Sequence, residues 1–292
     1  MIRQQARKLE PSPVLQRRKP QLARAMLYGL LVLLTIFFGV PFVFMVTGSF
    51  KTNAEVFSLP ISLWVNNPTL ENFRRLLAGE VIPYVRMFWN STVIGVAETL
   101  LTVLVSTLVG WGFAKYQFPG KNLLFLLLVA TLALPFQVII VPLFQMMIQF
   151  RWLDTFWALI VPGAVSAFGA FFMRQAMLSI PNELLDAGRI DGANEWHLFW
   201  HIGLPLSRGA IAVLSVITFL RSWNELLWPA VALRSPENFT LPLGIQALDG
   251  YTQVEYGMIV AGSLLSVLPI IVIFVIGGKN LLDNLTTGSV KG

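Results

Sequence analysis

Six apolar runs, each long enough to cross a bilayer, alternate with polar connections along the 292-residue chain. A spanning helix needs about 20 apolar residues to cross about 30 Å of hydrocarbon. The runs fall at residues 25–50, 87–114, 122–150, 155–173, 209–233 and 256–278. The first carries no charge, the second is interrupted only by Glu98, and the fifth is weakened by Arg221 and Glu225. This pattern predicts an all-α integral membrane protein with six transmembrane helices.

The connections differ in character. Residues 51–86 contain Pro60, Pro68 and Pro83 and read as a long excursion with one short helix at Leu70–Leu77. Residues 234–255 carry Pro236, Pro242, Gly244 and Gly250. Residues 174–208 are too polar to cross a membrane and too patterned for a plain linker. There, Ser179 followed by Pro181 and Glu183 marks a helix start, with Asn182 as an alternative cap. Leu184, Ala187 and Ile190 then fall on one stripe at helical spacing. Asp191-Gly192 stops that helix, because glycine accepts the left-handed backbone of a helix end. Asn194 can cap a second helix with Leu198, Phe199 and Ile202 on one face, ended by Pro205. The expected product is two short helices hinged at Gly192. Small residues Ala187, Gly188 and Ala193 leave room for another protein.

Composition supports lipid as the solvent. The chain is 55% hydrophobic and 12% charged, against about 25% charged in a typical soluble domain. The net charge of +6 does not point to nucleic acid, because the basic residues cluster between apolar runs and form no single stripe. Arg3, Arg7, Lys8, Arg17, Arg18, Lys19 and Arg24 precede the first run. That run is too long for a signal-peptide core of about 7–15 residues, so the segment reads as a retained start. Six helices place both termini on one side. That side holds 14 of the 21 lysines and arginines, which makes it cytoplasmic by the positive-inside rule. There is no cysteine, so disulfides and thiolate metal sites are excluded. The expected organisation is a basic tail (1–24), a first helix with its outer loop (25–86), a transmembrane core (87–284) containing a cytoplasmic loop at 179–207, and a C-terminal tail (285–292).

The cytoplasmic loop resembles the coupling motif of bacterial ABC importer permeases, which reads Glu-Ala-Ala, three residues, Gly, nine residues, Ile, any residue, Leu-Pro. It matches at Ala187, Gly192, Ile202, Leu204 and Pro205, and departs with Asp186 for Glu and Gly188 for Ala. Residues 219–229 (FLRSWNELLWP) and 285–292 (LTTGSVKG) resemble the helix-five signature and C-terminal end of the smaller permease of the carbohydrate-uptake class. That class includes the maltose and glycerol-3-phosphate importers.

The resemblance implies the transmembrane-domain fold of ABC type I importers, in a bacterial inner membrane. It implies alternating access for a sugar or sugar derivative. The partners would be a second permease forming a heterodimer, two ATPase subunits carrying ATP and Mg, and an extracytoplasmic substrate-binding protein. Asp186, Ala187, Gly188, Asp191, Gly192 and Ala193 would dock on the ATPase. Ile202, Leu204 and Pro205 would tie that face to the fifth helix, and Val290, Lys291 and Gly292 would make a second contact. The loop at 235–251 would enter the binding protein's cleft, with Leu241, Pro242, Leu243, Gly244 and Leu248 at its tip. The chain would hold no cofactor of its own: Gly277-Gly278-Lys279-Asn280 lacks the first glycine and the hydroxyl residue of a phosphate-cradling loop.

Other residues could line a substrate path. Glu98, an acid inside a span, is a candidate for path lining or for interhelical hydrogen bonding. Trp223, Asn224 and Glu225 combine an aromatic face with hydrogen-bonding groups, as sugar sites do, or form an interfacial belt. Gln137 and Gln145 lie near Pro135 and Pro142, where a kinked segment could line a path or satisfy its amides internally. His197 and His201 have zinc-pair spacing without an obvious third ligand, which favours a docking or surface role. No clustered nucleophile, acid and base set suggests an enzyme. The remaining rivals are an ion-coupled transporter using Glu98 and an importer for a non-sugar solute.

Overall fold

A computed structural model describes residues 21–56, 58–250 and 255–287. Its contacts divide the chain after Phe44 into an N-terminal unit and a larger second unit. The N-terminal unit holds most of helix α1 (Gln21–Ser49). Between Arg24 and Ser49 it contains an 18-residue stretch with a mean hydropathy of 2.6, as expected for the first span.

The second unit contains α2 (Asn53–Val56), α3 (Glu71–Ala78), α4 (Tyr84–Lys115), α5 (Lys121–Ala130), α6 (Phe136–Phe150), α7 (Trp157–Ala164) and α8 (Ala167–Leu178). After these come α9 (Asn182–Ile190), α10 (Glu195–Leu198), α11 (Leu204–Asn224), α12 (Leu227–Ala232), α13 (Leu241–Ala247) and α14 (Tyr256–Thr287). The described residues contain no strand. Among the described residues five helices are long and apolar enough to span a membrane, and the bent pair α5–α6, counted as one span, brings the number to six. The short helix expected at Leu70–Leu77 is α3, closed by Gly79 at φ +72°.

The third, fourth and fifth expected helices are broken or cut short. The third apolar run is broken, with a bend of 102° between its halves. Pro135 has no N–H to continue a helix and disfavours helical backbone in the residue before it. Leu134 is accordingly extended, after a 3-10 turn at Thr131–Ala133. The fourth run breaks at Val165–Ser166, and the Ser166 side chain caps α8 by accepting from the Gly169 amide at 3.0 Å. The fifth helix starts at Leu204 and stops at Asn224, where Glu225 turns extended before α12.

Helix α4 runs through the middle of the second unit and meets three buried clusters in turn. Tyr84 and Met87 pack with Leu76, Trp223, Leu241 and Met258. Ile94 packs with Met147, Leu159, Trp228 and Leu233. Trp111 packs with Met173, Met177, Leu185, Leu198, Phe199 and Leu214. Small residues let the helices close up, since lipid supplies no hydrophobic drive between them. A Cβ on Gly110 would stand 2.7 Å from Met173 Cβ and 2.8 Å from the Arg174 amide nitrogen. No side chain larger than hydrogen fits between α4 and α8 at this point.

Candidate functional site

Two features stand out, a two-helix corner after α8 and a cavity between α4, α6, α7 and α11. At the corner, Ser179 does not cap the helix that follows. Its hydroxyl bonds back to Ala176 O at 2.7 Å, and Pro181 occupies the N-cap position of α9 without any side-chain cap, so Asn182 does not cap it either. Asn194 behaves as expected, its Oδ1 accepting from the His197 amide at 2.8 Å. Gly192 sits at φ +86°, the left-handed region that favours glycine.

Pro205 does not end the second helix. Helix α10 passes into a π turn at Phe199–Gly203 and on into α11, with Pro205 in the first turn of that helix. A missing amide costs little there, and the widened turn absorbs the interruption of the ladder. The corner is therefore continuous with a membrane helix.

Gly192 is better described as a braced bend than as a hinge. Arg189 donates to Asp186 Oδ1 at 2.8 Å and to both oxygens of Glu195, at 2.8 and 3.2 Å, which spans the bend. Glu195 also accepts from the Tyr116 hydroxyl at 2.7 Å. Burial first, and then the Glu195 carboxylate, raise the Tyr116 pKa and keep that hydroxyl a donor. Lys115 Nζ donates to Ile180 O at 2.5 Å and to Asn182 Oδ1 at 3.2 Å.

Leu185, Leu198 and Phe199 are buried, and Ile202 and Leu204 pack against their cluster. Gly188 faces Leu198, whose Cδ2 would lie 2.6 Å from an added Cβ, so its small size serves packing inside the corner. The stripe of Leu184, Ala187 and Ile190 points outward, with Leu184 46% and Ile190 87% exposed. Asp186, Asp191, Gly192 and Pro205 are exposed too, and Ala193 is half-buried. The expected contact residues Val290, Lys291 and Gly292 lie outside the described residues.

The rings of His197 and His201 stack with centroids 3.8 Å apart. Among the described residues no group of three or more His, Cys, Asp or Glu is placed to hold a metal.

The cavity has a volume of about 830 Å3. On its wall Glu98 of α4 is buried and accepts from Arg221 Nη2 and, at 2.6 Å, from Ser222 Oγ. Arg221 Nη2 also reaches Gly163 O at 3.3 Å, and Thr102 Oγ1 donates to the same carbonyl at 3.1 Å. Gly163 packs directly on the Glu98 carboxylate, so α4, α7 and α11 meet at one polar knot. Glu98 thus bonds between helices, as one of its two expected roles requires, and it also lines this cavity.

Gln137 and Glu225 line the same cavity. Three other expected residues do not. Trp223 is turned inward, its indole N–H on Ser266 O at 3.1 Å and its ring packed on Phe88 and Phe219. Asn224 Nδ2 donates to Leu220 O at 2.7 Å, and Gln145 is exposed away from the cavity. The sequence reading missed Arg221, Ser222 and Trp228. Trp228 Nε1 donates to Ala158 O at 2.8 Å, and its amide donates to Glu225 Oε1 at 3.2 Å.

Most of the residues expected at the binding-protein tip are buried in this chain. Residues 241–247 form α13, with Leu241, Leu243, Gly244 and Leu248 buried and Pro242 half-buried. Gly244 lies against Met87, and the Leu241 amide donates to Ser91 Oγ at 2.7 Å. Apolar residues at this density sit in the core, leaving Gln246, Asp249 and Gly250 exposed beside it. The near end of the segment is clamped by Asp154, whose Oδ1 accepts from the amides of Arg234 and Ser235 at 2.9 and 3.0 Å. Burial would raise the Asp154 pKa, but the Ser235 hydroxyl and these two amides outweigh it and hold it at about 2.

Several apolar helices long enough to cross a bilayer, packed around α4, define a class of multi-pass membrane protein. Residues 102–279 match the family described as the binding-protein-dependent transport system inner membrane component, and the chain belongs to that family. It is 34% identical over 280 residues to the arabinooligosaccharides transport system permease protein AraQ of Bacillus subtilis (strain 168), covering 94% of this chain and 99% of that protein. It is 33% identical to the lactose transport system permease protein LacG of Rhizobium radiobacter, covering 95% and 98%. A chain of a bacterial ABC transporter involved in the import of the acidic polysaccharide alginate shares the fold, with a TM-score of 0.78 at 19% identity. That match covers 90% of this chain and 97% of the other. These relatives are transport permeases, and the family is not catalytic.

Proposed function

We propose that this chain is the membrane-spanning permease subunit of an ATP-binding-cassette importer for a sugar, oligosaccharide or sugar derivative. The observation that carries this reading is the braced corner: an outward stripe of Leu184, Ala187 and Ile190 on a body joined without interruption to α11. An exposed apolar stripe next to a charged brace suits a protein partner. Two ATPase subunits, holding ATP and Mg, would dock on this corner. Their closure would move it as one body, and α11 would carry the motion to the cavity as a switch between two states. Both termini would lie in the cytoplasm of a bacterium, under the inner membrane. A second permease would complete the translocation path, and a substrate-binding protein would deliver sugar from the opposite face.

The test is co-purification with the ATPase subunits, followed by ATP hydrolysis with sugar-loaded binding protein. Stimulated hydrolysis by the complex and none by the chain alone is the expected result. Turnover by the purified chain alone would overturn the reading.

A further inference from the structure

The cavity beside Glu98 carries chemistry that no relative's name specifies. Its charged lining consists of the carboxylates of Glu98 and Glu225 and the guanidinium of Arg221, a net formal charge of −1. Glu98 already neutralises the charge of Arg221, whose Nη2 is committed to it. If Glu98 were protonated the lining would be neutral, so in neither state does it hold surplus positive charge. An anion entering a low-dielectric membrane cavity needs such a surplus, because an unpaired charge away from water is heavily penalised. A neutral sugar needs only donors, acceptors and an apolar face.

The cavity offers those. Gln137 is exposed and presents both an amide donor and a carbonyl acceptor. Glu225 uses Oε1 on the Trp228 amide, leaving Oε2 to accept from a hydroxyl. The Arg221 side chain is 53% exposed, so its remaining N–H groups are available as donors. Phe136 and Trp228 stand edge to face with centroids 6.2 Å apart, an apolar wall for the C–H face of a pyranose or furanose.

We infer that this chain carries its own subsite for an uncharged sugar residue, formed by Gln137, Arg221 and Glu225 against Phe136 and Trp228, and that the subsite rejects uronates and sugar phosphates. This rests on the importer reading above and deepens it to a substrate class.

The test uses the complete transporter with its binding protein in proteoliposomes. The probes are arabinotriose, lactose, a glucuronate disaccharide and glycerol-3-phosphate. The readout is sugar imported per ATP hydrolysed, for wild type, Gln137→Ala and Glu225→Gln. A neutral sugar should be imported. That ratio should fall about tenfold in each variant, the effect of losing a hydrogen bond of about 1.4 kcal/mol. Glu225→Gln keeps an acceptor for the Trp228 amide, so loss through misfolding is guarded against, and ATPase co-purification checks assembly. An unchanged ratio in either variant, or wild-type import of either anionic probe, overturns the inference while leaving the importer intact. ATP hydrolysis by the complex that sugar-loaded binding protein does not stimulate would remove the importer reading itself, and this inference with it.

Discussion

Arg221, in the fifth membrane helix, donates to the carboxylate of Glu98, 123 residues earlier in the second. This pair ties the helix that continues the two-helix corner to the helix that runs through all three buried clusters.

Breaking the pair from one side should therefore destabilise the fold. Removing one partner strands the other, which costs about 3–5 kcal/mol for a fully buried pair. Arg221 is half exposed to the cavity, so Arg221→Met is expected to cost about 2 kcal/mol by denaturation in detergent. Glu98→Gln combined with Arg221→Met should recover part of the loss. A single variant as stable as wild type would show that the pair contributes nothing.

Helix contact makes a sharper comparison within α4. Gly110→Ala forces a methyl against the α8 backbone and should destabilise by about 1–3 kcal/mol. Gly112→Ala meets nothing within 4 Å and should be neutral or slightly stabilising. Thermal unfolding of both variants checks this, and equal melting temperatures would contradict the packing described.

The Asp154 clamp predicts a pH signature. Its pKa is depressed from 3.8 to about 2, so its contribution is fully present above pH 3.8 and is lost as pH falls through about 2. The stability gap between wild type and Asp154→Asn should be constant above pH 4 and close towards pH 2 in denaturant titrations. A gap that widens on acidification would reverse the assignment.

Arg189→Ala separates stability from coupling. Its ion pairs are more than a third exposed on every side chain, so each contributes at most about 1 kcal/mol. The fold should persist. Binding-protein-stimulated ATP hydrolysis should fall severalfold, because the bend at Gly192 loses its brace. Retained stimulation would make the brace incidental.

Much of this was legible in the chain because lipid imposes a strict pattern. Long apolar runs mark spans whatever they pack against, and Asn194 and Gly192 act through purely local backbone rules. Other features depend on neighbours distant in sequence. Pro205 at the start of a helix looks the same in sequence as Pro205 beyond the end of one, and only the π turn before it separates the two. The stripe of Leu184, Ala187 and Ile190 was visible, but its outward direction depends on Leu185 finding Trp111, Met173 and Leu198. Arg221 read as a flaw in an apolar helix until Glu98 was placed beside it. For the segment 241–248 the resemblance points to an exposed tip, whereas its own leucines favour the interior.

In the proposed importer, the outward stripe of α9 is the surface through which ATP drives transport. The direct measurement is sugar uptake into proteoliposomes containing the full complex, with ion gradients collapsed by ionophores, comparing wild type with Ala187→Arg. Uptake by wild type that requires ATP, and its loss together with ATPase co-purification in Ala187→Arg, is the predicted result. Uptake that follows an ion gradient without ATP, or that survives the arginine unchanged, would contradict it.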